Sequence, residues 1–272
     1  MTLGALVQGT VLARPSKTLK TPYVADVIVN DASVLAHTAS LGCGGLADVG
    51  ACVLMVPAGP VKNDGKPHCA YKVMLSAIVD HDTSVIVGIY PKLAEELVER
   101  ALSSNLLSQL NHVQSFQREV TFLNSRFDFA GTDADGRPFI LEVKNVPLAD
   151  YEEKAHKEKR APGCFDGRDV ASKVAYFPDG FRKKASDTVS PRALKHMREL
   201  QAIKESDPNT RCLMCYVIQR HDVNRFQPSI KDSDYRQAFQ EAMQTGVEVI
   251  TLVVRWTPEG HAYFVTDVLP IC

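Results

Sequence analysis

The sequence predicts an α/β (α+β) protein in two parts. A small antiparallel β-barrel covers residues 1–90, and an α/β unit covers residues 91–272 with a charged insert near 150–187. Three observations predict this. Residues 7–89 are short β-rich runs of even spacing, punctuated by Gly, Pro and Asn, as in small barrels. From Tyr90 onward, helix-period apolar stripes alternate with β-branched runs, the order that builds an α/β layer. Apolar residues at 45% and charged residues at 23% of 272 positions exclude collagen-like, coiled-coil and wholly disordered chains.

The elements follow in order. Runs 7–14 and 23–30 read as the first strands, and 33–37, 51–56, 71–79 and 84–89 complete five or six. Residues 42–45 and 59–66 read as turns. Strand counting fits an OB-like barrel and other small barrels alike. A helix begins at Tyr90: Pro91 suits the first helical position, and Leu93, Ala94, Leu97, Val98 and Ala101 form its apolar stripe. Residues 117–130 and 137–146 read as two strands joined by a turn whose Asp135-Gly136 is a hairpin signal. Residues 150–187 show no sustained apolar period. Ser190 then caps a helix with Pro191 in its first turn and Leu194, Met197, Leu200 and Ile203 inward. Strand 212–219, helix 234–244 and strand 247–255 close the chain.

The whole-chain charge of −1 is uninformative, but its distribution is not. Residues 152–204 carry 13 Lys/Arg and 8 Asp/Glu, and the rest of the chain 18 and 24. A basic segment of this kind is either a footprint for polyanions or a solvated insert. Seven scattered cysteines form no secreted disulfide framework, so an intracellular, reducing compartment is expected. No apolar run approaches the ~18–20 residues of a membrane span, and the first residues lack the basic start of a secretory signal. Cys212 and Cys215 have C-x-x-C spacing, but on a strand they point to opposite faces and read as ordinary buried cysteines.

One stretch carries chemistry. Period-2 alternation puts Phe127 and Phe129 on one strand face and Arg126, Asp128 and Ala130 on the other; across the turn, Glu142 and Lys144 share a face. A hairpin centred on Asp135 sets residue 128 opposite residue 142, which requires an odd loop with a left-handed Gly. Two carboxylates from different strands can hold Mg²⁺ or Mn²⁺ with positions open for phosphate and water, and a nearby lysine can orient the attacking water. The spacing D-x₁₃-E-x-K matches the PD-(D/E)xK nuclease pattern, with Phe127 in place of Pro. An exposed, salt-bridged strand face is the competing reading. Glu119, on the incoming strand, is read as facing solvent.

Further strings agree in order with one family. Ser125-Arg126-Phe127-Asp128-Phe129, Leu141-Glu142-Val143-Lys144-Asn145-Val146, Tyr176-Phe177-Pro178-Asp179 and the run from Arg192 to Leu200 are followed by Arg225-Phe226-Gln227-Pro228 and Asp232-Ser233-Asp234-Tyr235. Together they resemble the sugar fermentation stimulation protein (SfsA) family over most of residues 7–256. The resemblance implies an OB-like domain, a PD-(D/E)xK nuclease-like domain and non-specific DNA binding. It places Asp128, Glu142 and Lys144 on the nuclease-type positions and Arg192 and His196 on a basic helix motif, with Ala193 where the family tends to have Gly. The family's Pro-Asn-Thr-Gly-like loop is replaced by His37-Thr38-Ala39-Ser40-Leu41-Gly42, and the insert before Tyr176 is longer than in bacterial members, the marks of a divergent member.

The expected function is therefore non-specific nucleic-acid binding, to DNA foremost, with a Mg²⁺- or Mn²⁺-dependent phosphodiesterase site. Asp128 and Glu142 would hold the metal and Lys144 the water. Arg192, Lys195, His196 and Arg198 on the basic helix, with Arg14, Lys17 and Lys20 flanking the first hairpin, would bind nucleic acid. The alternative is a DNA-binding regulatory protein whose nuclease fold no longer cuts.

Overall fold

A computed structural model describes residues 1–38, 43–60, 67–80, 83–153, 168–169, 172–180, 184 and 187–272. The first sheet contains β1 (Val7–Ala13), β2 (Val24–Val29), β3 (Ala32–His37), β4 (Cys52–Pro57), β5 (Tyr71–Asp80) and β6 (Thr83–Gly88). β1, β2 and β3 form a meander, β4 lies beside β1, and β5 lies beside β4. β5 then returns to β3 in parallel, pairing Ala36 with Tyr71 and His37 with Lys72. The ring β1-β2-β3-β5-β4 is thereby closed, which selects the OB-like barrel that strand counting left open. The β2–β3 turn needs left-handed backbone at both central residues, Asn30 (φ 47°) and Asp31 (φ 62°). Gly9 lets β1 approach β2, since a Cβ there would lie 2.5 Å from Val27 Cγ1.

Helix α1 (Lys92–Ser103) buries the expected stripe, with Pro91 at the cap position just before it. The second sheet has the order β15-β14-β12-β9-β8-β7. Its members are β7 (Ser115–Phe122), β8 (Ser125–Thr132), β9 (Pro138–Val146), β12 (Arg211–Ile218), β14 (Glu248–Trp256) and β15 (Ala262–Thr266). The central β9, β12 and β14 are parallel, and the outer strands are antiparallel. Helices α2 (Pro191–Ser206) and α3 (Ser233–Gln244) cover one face. Ser190 Oγ and Asp232 Oδ1 cap them, accepting from Ala193 N (3.3 Å) and Tyr235 N (3.0 Å). A small third sheet joins β10 (Ala149–Asp150), β11 (Val174–Phe177) and β13 (Arg225–Pro228).

The other face of the large sheet packs on α1 and on the barrel. Leu54, Leu75 and Ile86 of the barrel share one buried cluster with Leu93, Leu141 and Leu252. A buried ionic clasp also crosses between the two parts: Lys173 Nζ meets Asp80 Oδ2 (2.5 Å) and Asp222 Oδ2 (2.7 Å), and Arg220 grips Asp222 through two N–H groups. Cys212 and Cys215 are free thiols that fall in opposite core clusters, as the alternation requires.

Two expectations need correction. Residues 117–130 are not one strand but the hairpin β7–β8, turning at Leu123-Asn124 with Leu123 left-handed (φ 51°). That turn contains neither Gly nor Pro, so the apolar pattern runs through it unmarked. The insert is also not wholly irregular, because β11 lies inside it with Ala175 and Tyr176 buried. Much of the insert (154–167, 170–171, 181–183 and 185–186), loop positions 39–42, turn positions 61–66, and His81-Asp82 lie outside the described residues. No helix among the described residues is long and apolar enough to cross a membrane.

Candidate active site

The β8–β9 register pairs Phe129 with Leu141, Ala130 with Ile140, Gly131 with Phe139 and Thr132 with Pro138. The loop between them is odd in length and centred on Asp135, with Gly136 left-handed (φ 78°). Asp133 Oδ1 ties it by accepting from Asp135 N (3.0 Å) and Arg137 N (2.9 Å). One step beyond the last pair, residue 128 falls opposite residue 142.

At that step the strands part. Phe129 packs on the α1 side of the sheet and Phe127 on the α2 side, so the two do not share a face as simple alternation demands. The reversal is matched on β7 at Glu119, which has φ 56° and interrupts the ladder opposite Asp128. Glu119 turns to the surface beside Arg126 (3.4 Å), as expected. Released from the ladder, Val143 N donates instead to Asp128 Oδ2 (2.7 Å). The carboxylate thus replaces a main-chain acceptor and is fixed in the gap.

That gap is an open polar cavity of 180 Å³ lined by Asp128, Glu142, Lys144, Asn145, Arg192 and Glu95, among others. Glu142 is 3% exposed. Its Oε1 contacts both Lys144 Nζ and His196 Nδ1, while its Oε2 is buried with no hydrogen-bond partner. Burial, and then the Glu142 charge, push the Asp128 carboxyl up to about 7. Burial also works to raise Glu142, but Lys144 and His196 outweigh it and hold that carboxyl below its ordinary value. The pair divides the two states between them: Glu142 stays ionised while Asp128 resists ionisation until a positive group offsets the second charge. The donor set suits a hard divalent cation, with two carboxylates, one of them carrying an orphaned buried oxygen, and a polar space beside them. Among the described residues no group of three or more His, Cys, Asp or Glu is placed to hold a metal ion, so the protein's contribution would be the two carboxylates.

The expected nucleic-acid ligands separate. Arg192 is exposed and lines the cavity. Lys195 is exposed but donates to Asn124 O (2.6 Å), and Arg198 is paired with Glu241. His196 requires correction: it is 4% exposed, held between Glu142, Lys144 and the Phe127 ring, and so has no surface for a polyanion. Arg14 Nε donates to Pro22 O (3.0 Å), and Lys17 and Lys20 are exposed on the barrel. None of these three lines the cavity. Glu95 and Asn145 went unmarked. Glu95 sits on the polar side of α1, paired with Arg118 (3.0 Å), and only tertiary packing brings it to the hairpin. Asn145 had a signal in its place directly after the E-x-K run.

The closed barrel and the parted β8–β9 hairpin define an OB-like domain joined to a PD-(D/E)xK nuclease-like α/β domain. The family model described as "Sugar fermentation stimulation protein RE domain" matches residues 92–156 and 168–260. A sugar fermentation stimulation protein homolog of a Ruegeria species is 30% identical over 252 residues, 91% of this chain and 92% of the relative. A homolog from a Synechococcus species is 31% identical over 241 residues, 88% and 84% of the two chains. The structure of Pyrococcus furiosus SfsA in complex with Ca²⁺ superposes with a TM-score of 0.75 at 19% identity, covering 100% of this chain and 98% of that one. The chain belongs to the sugar fermentation stimulation protein (SfsA) family.

Proposed function

We propose that this chain binds nucleic acid without sequence preference, DNA foremost, and hydrolyses phosphodiesters in its second part with Mg²⁺ or Mn²⁺. The division is at residue 90, with the barrel as a binding unit and residues 91–272 as the catalytic one. One observation carries the reading: Asp128 and Glu142 line a single cavity with Lys144 and Arg192, and the buried Glu142 Oε2 has no partner. When bound, Mg²⁺ or Mn²⁺ supplies Lewis-acid polarisation of a phosphoryl oxygen and a more acidic water. Asp128 and Glu142 are the residues that would hold it. The Val143 N–H fixes the Asp128 carboxylate in place. Lys144, between Glu142 and His196, donates to the attacking water or to charge building on phosphate oxygens. Arg192 offers its planar fork to a non-bridging oxygen. Lys195, Arg198, Arg14, Lys17 and Lys20 supply a diffuse positive field for the backbone. That the Pyrococcus relative was solved in complex with Ca²⁺ supports hard-cation binding by this architecture.

The test incubates purified protein with labelled single-stranded DNA, duplex DNA and RNA in Mg²⁺, Mn²⁺ or EDTA. Cleavage requiring metal, and lost in Glu142→Gln and Lys144→Met, is the expected result. The closed Glu142–Lys144–His196 cluster favours a second reading, binding without cutting. Binding by wild type with no cleavage under any divalent ion would establish that reading and refute the first.

A further inference from the structure

A second cavity, of 190 Å³, adjoins the first. It is lined by Pro91, Asn145, Pro147, Tyr176, Phe177 and Asp179, among others, and shares Pro91 and Asn145 with the carboxylate cavity. The chemistry changes across that seam. On one side lie Asp128, Glu142, Lys144 and Arg192; on the other lie two prolines, the half-buried Phe177 and the carboxylate-bearing Asp179, while Tyr176 is 3% exposed and joins the barrel core. The second cavity is smaller than the ~300–1,000 Å³ typical of drug-sized ligand sites. It suits a flat group of one or two rings.

Asn145 at the seam is oriented by a buried relay. Trp256 Nε1 donates to Gln219 Oε1 (2.7 Å), and Gln219 Nε2 donates to Asn145 Oδ1 (2.8 Å). An indole N–H can only donate, so the direction of both bonds follows from the Trp end. The Asn145 oxygen is thereby taken, and its Nδ2 remains as a donor. Space for the relay comes from Gly88, where a Cβ would lie 2.2 Å from Gln219 Oε1 and 2.7 Å from Trp256 Nε1. The last barrel strand therefore gives way to a device whose far end reaches both cavities.

We infer that the second cavity is a nucleobase subsite, receiving one unpaired base next to the phosphate held at Asp128 and Glu142. The inference rests on the proposed phosphodiester reading and names its substrate class: nucleic acid that is single-stranded, or opened, at the bound nucleotide. A ring system stacks on Phe177 and the proline rings of Pro91 and Pro147, an interaction tolerant of base identity. The Asn145 Nδ2 donates to a ring nitrogen or carbonyl oxygen, which every base offers. A base inside an intact duplex is stacked and paired, and reaches such a pocket only by flipping out.

The experiment measures binding of three probes by fluorescence anisotropy in Ca²⁺ at one salt concentration: a thymidine hexamer, an all-abasic strand of equal length, and a fully paired hairpin. Wild type, Phe177→Leu and Asn145→Ala are compared, with thermal melts to verify folding, and cleavage of the same probes is followed in Mn²⁺. Wild type should prefer the hexamer over the abasic strand on the order of tenfold. Each variant should erase that ratio, and Phe177→Leu should also keep the wild-type affinity for the abasic strand. Equal affinity of wild type for hexamer and abasic strand, preference for the hairpin, or an unchanged ratio in both folded variants would overturn the inference. Cleavage without base discrimination would sink the subsite and leave the phosphodiesterase standing. Base discrimination without cleavage would do the reverse.

Discussion

Replacing Asp128 by Asn should stabilise the metal-free protein and abolish its response to divalent cations. Burial first, and the Glu142 charge second, raise the Asp128 carboxyl to about 7, against the pull of the Val143 N–H and the Lys144 charge. Measured from an ordinary ~3.9, and at ~1.36 kcal/mol per pH unit, the upper limit of the penalty is about 4 kcal/mol. The residue is only half-buried and opens on the cavity, so about 2–4 kcal/mol is the expected range. The sign follows from linkage. A carboxyl whose folded-state value is raised favours the native state fully below its unfolded value, and loses that advantage as pH rises through the folded one. Wild type and D128N should therefore match near about pH 4, diverge between about 4 and 7, and differ most above about 7. Asn keeps an oxygen for the Val143 N–H, so that bond (2.7 Å) is not lost in the comparison. Urea unfolding at several pH values, in EDTA and in Mg²⁺, checks this. Mg²⁺ should raise the midpoint of wild type and leave D128N unmoved. A variant less stable than wild type at about pH 8, or equally stabilised by Mg²⁺, would refute the account of paired carboxylates held apart from their cation.

Three further outcomes are expected. Reversing Lys195 and Arg198 to Glu should weaken binding to all sequences about equally and flatten log Kd against log salt; an unchanged slope would remove α2 from the binding surface. Asp222→Ala, which strips Lys173 and Arg220 of a shared buried partner, should cost about 3–5 kcal/mol in chemical denaturation. Although burial opposes it, the Arg220 and Lys173 contacts hold the Asp222 carboxyl well below its usual range; its contribution is thus present above the unfolded value and fades only as pH falls below about 4. Cys212, whose thiol burial pushes up to about 12, and the fully buried Cys215 should resist thiol reagents until the protein unfolds, a point that a native-state labelling time course decides.

Local sequence suffices where a single rule governs. Ser190-Pro191 starts α2 because an N-cap oxygen and a proline have only one comfortable place in a helix. The odd loop centred on Asp135 fixed the β8–β9 register because Gly136 alone supplies the left-handed residue. Barrel type was not legible, because the parallel β3–β5 closure joins Ala36 to Tyr71 through no sequence-local signal. The β7–β8 turn carries no sequence mark because Leu123 takes left-handed backbone that its side chain disfavours, a cost met by the pairing on either side.

The most informative failure of the alternation rule lies at the site itself. Strict period 2 puts Phe127 with Phe129 and leaves Asp128 on a regular ladder, where Val143 N would bond to a main-chain carbonyl. The structure instead reverses both β7 and β8 at the Glu119–Asp128 position, sends the two phenylalanines into different cores, and gives the freed N–H to a carboxylate. The irregularity removes ladder bonds, buries a carboxylate beside another, and opens a space that α1 and α2 line from opposite faces. His196 belongs to the same exchange. Its helix reads as a basic, phosphate-facing surface, yet His196 turns inward, where it is buried and contacts both Glu142 and Lys144 behind the cavity. Sequence rules of local consistency fail where several costs of this kind coincide. That coincidence, more than the E-x-K pattern itself, is what supports the proposed site over a salt-bridged strand face.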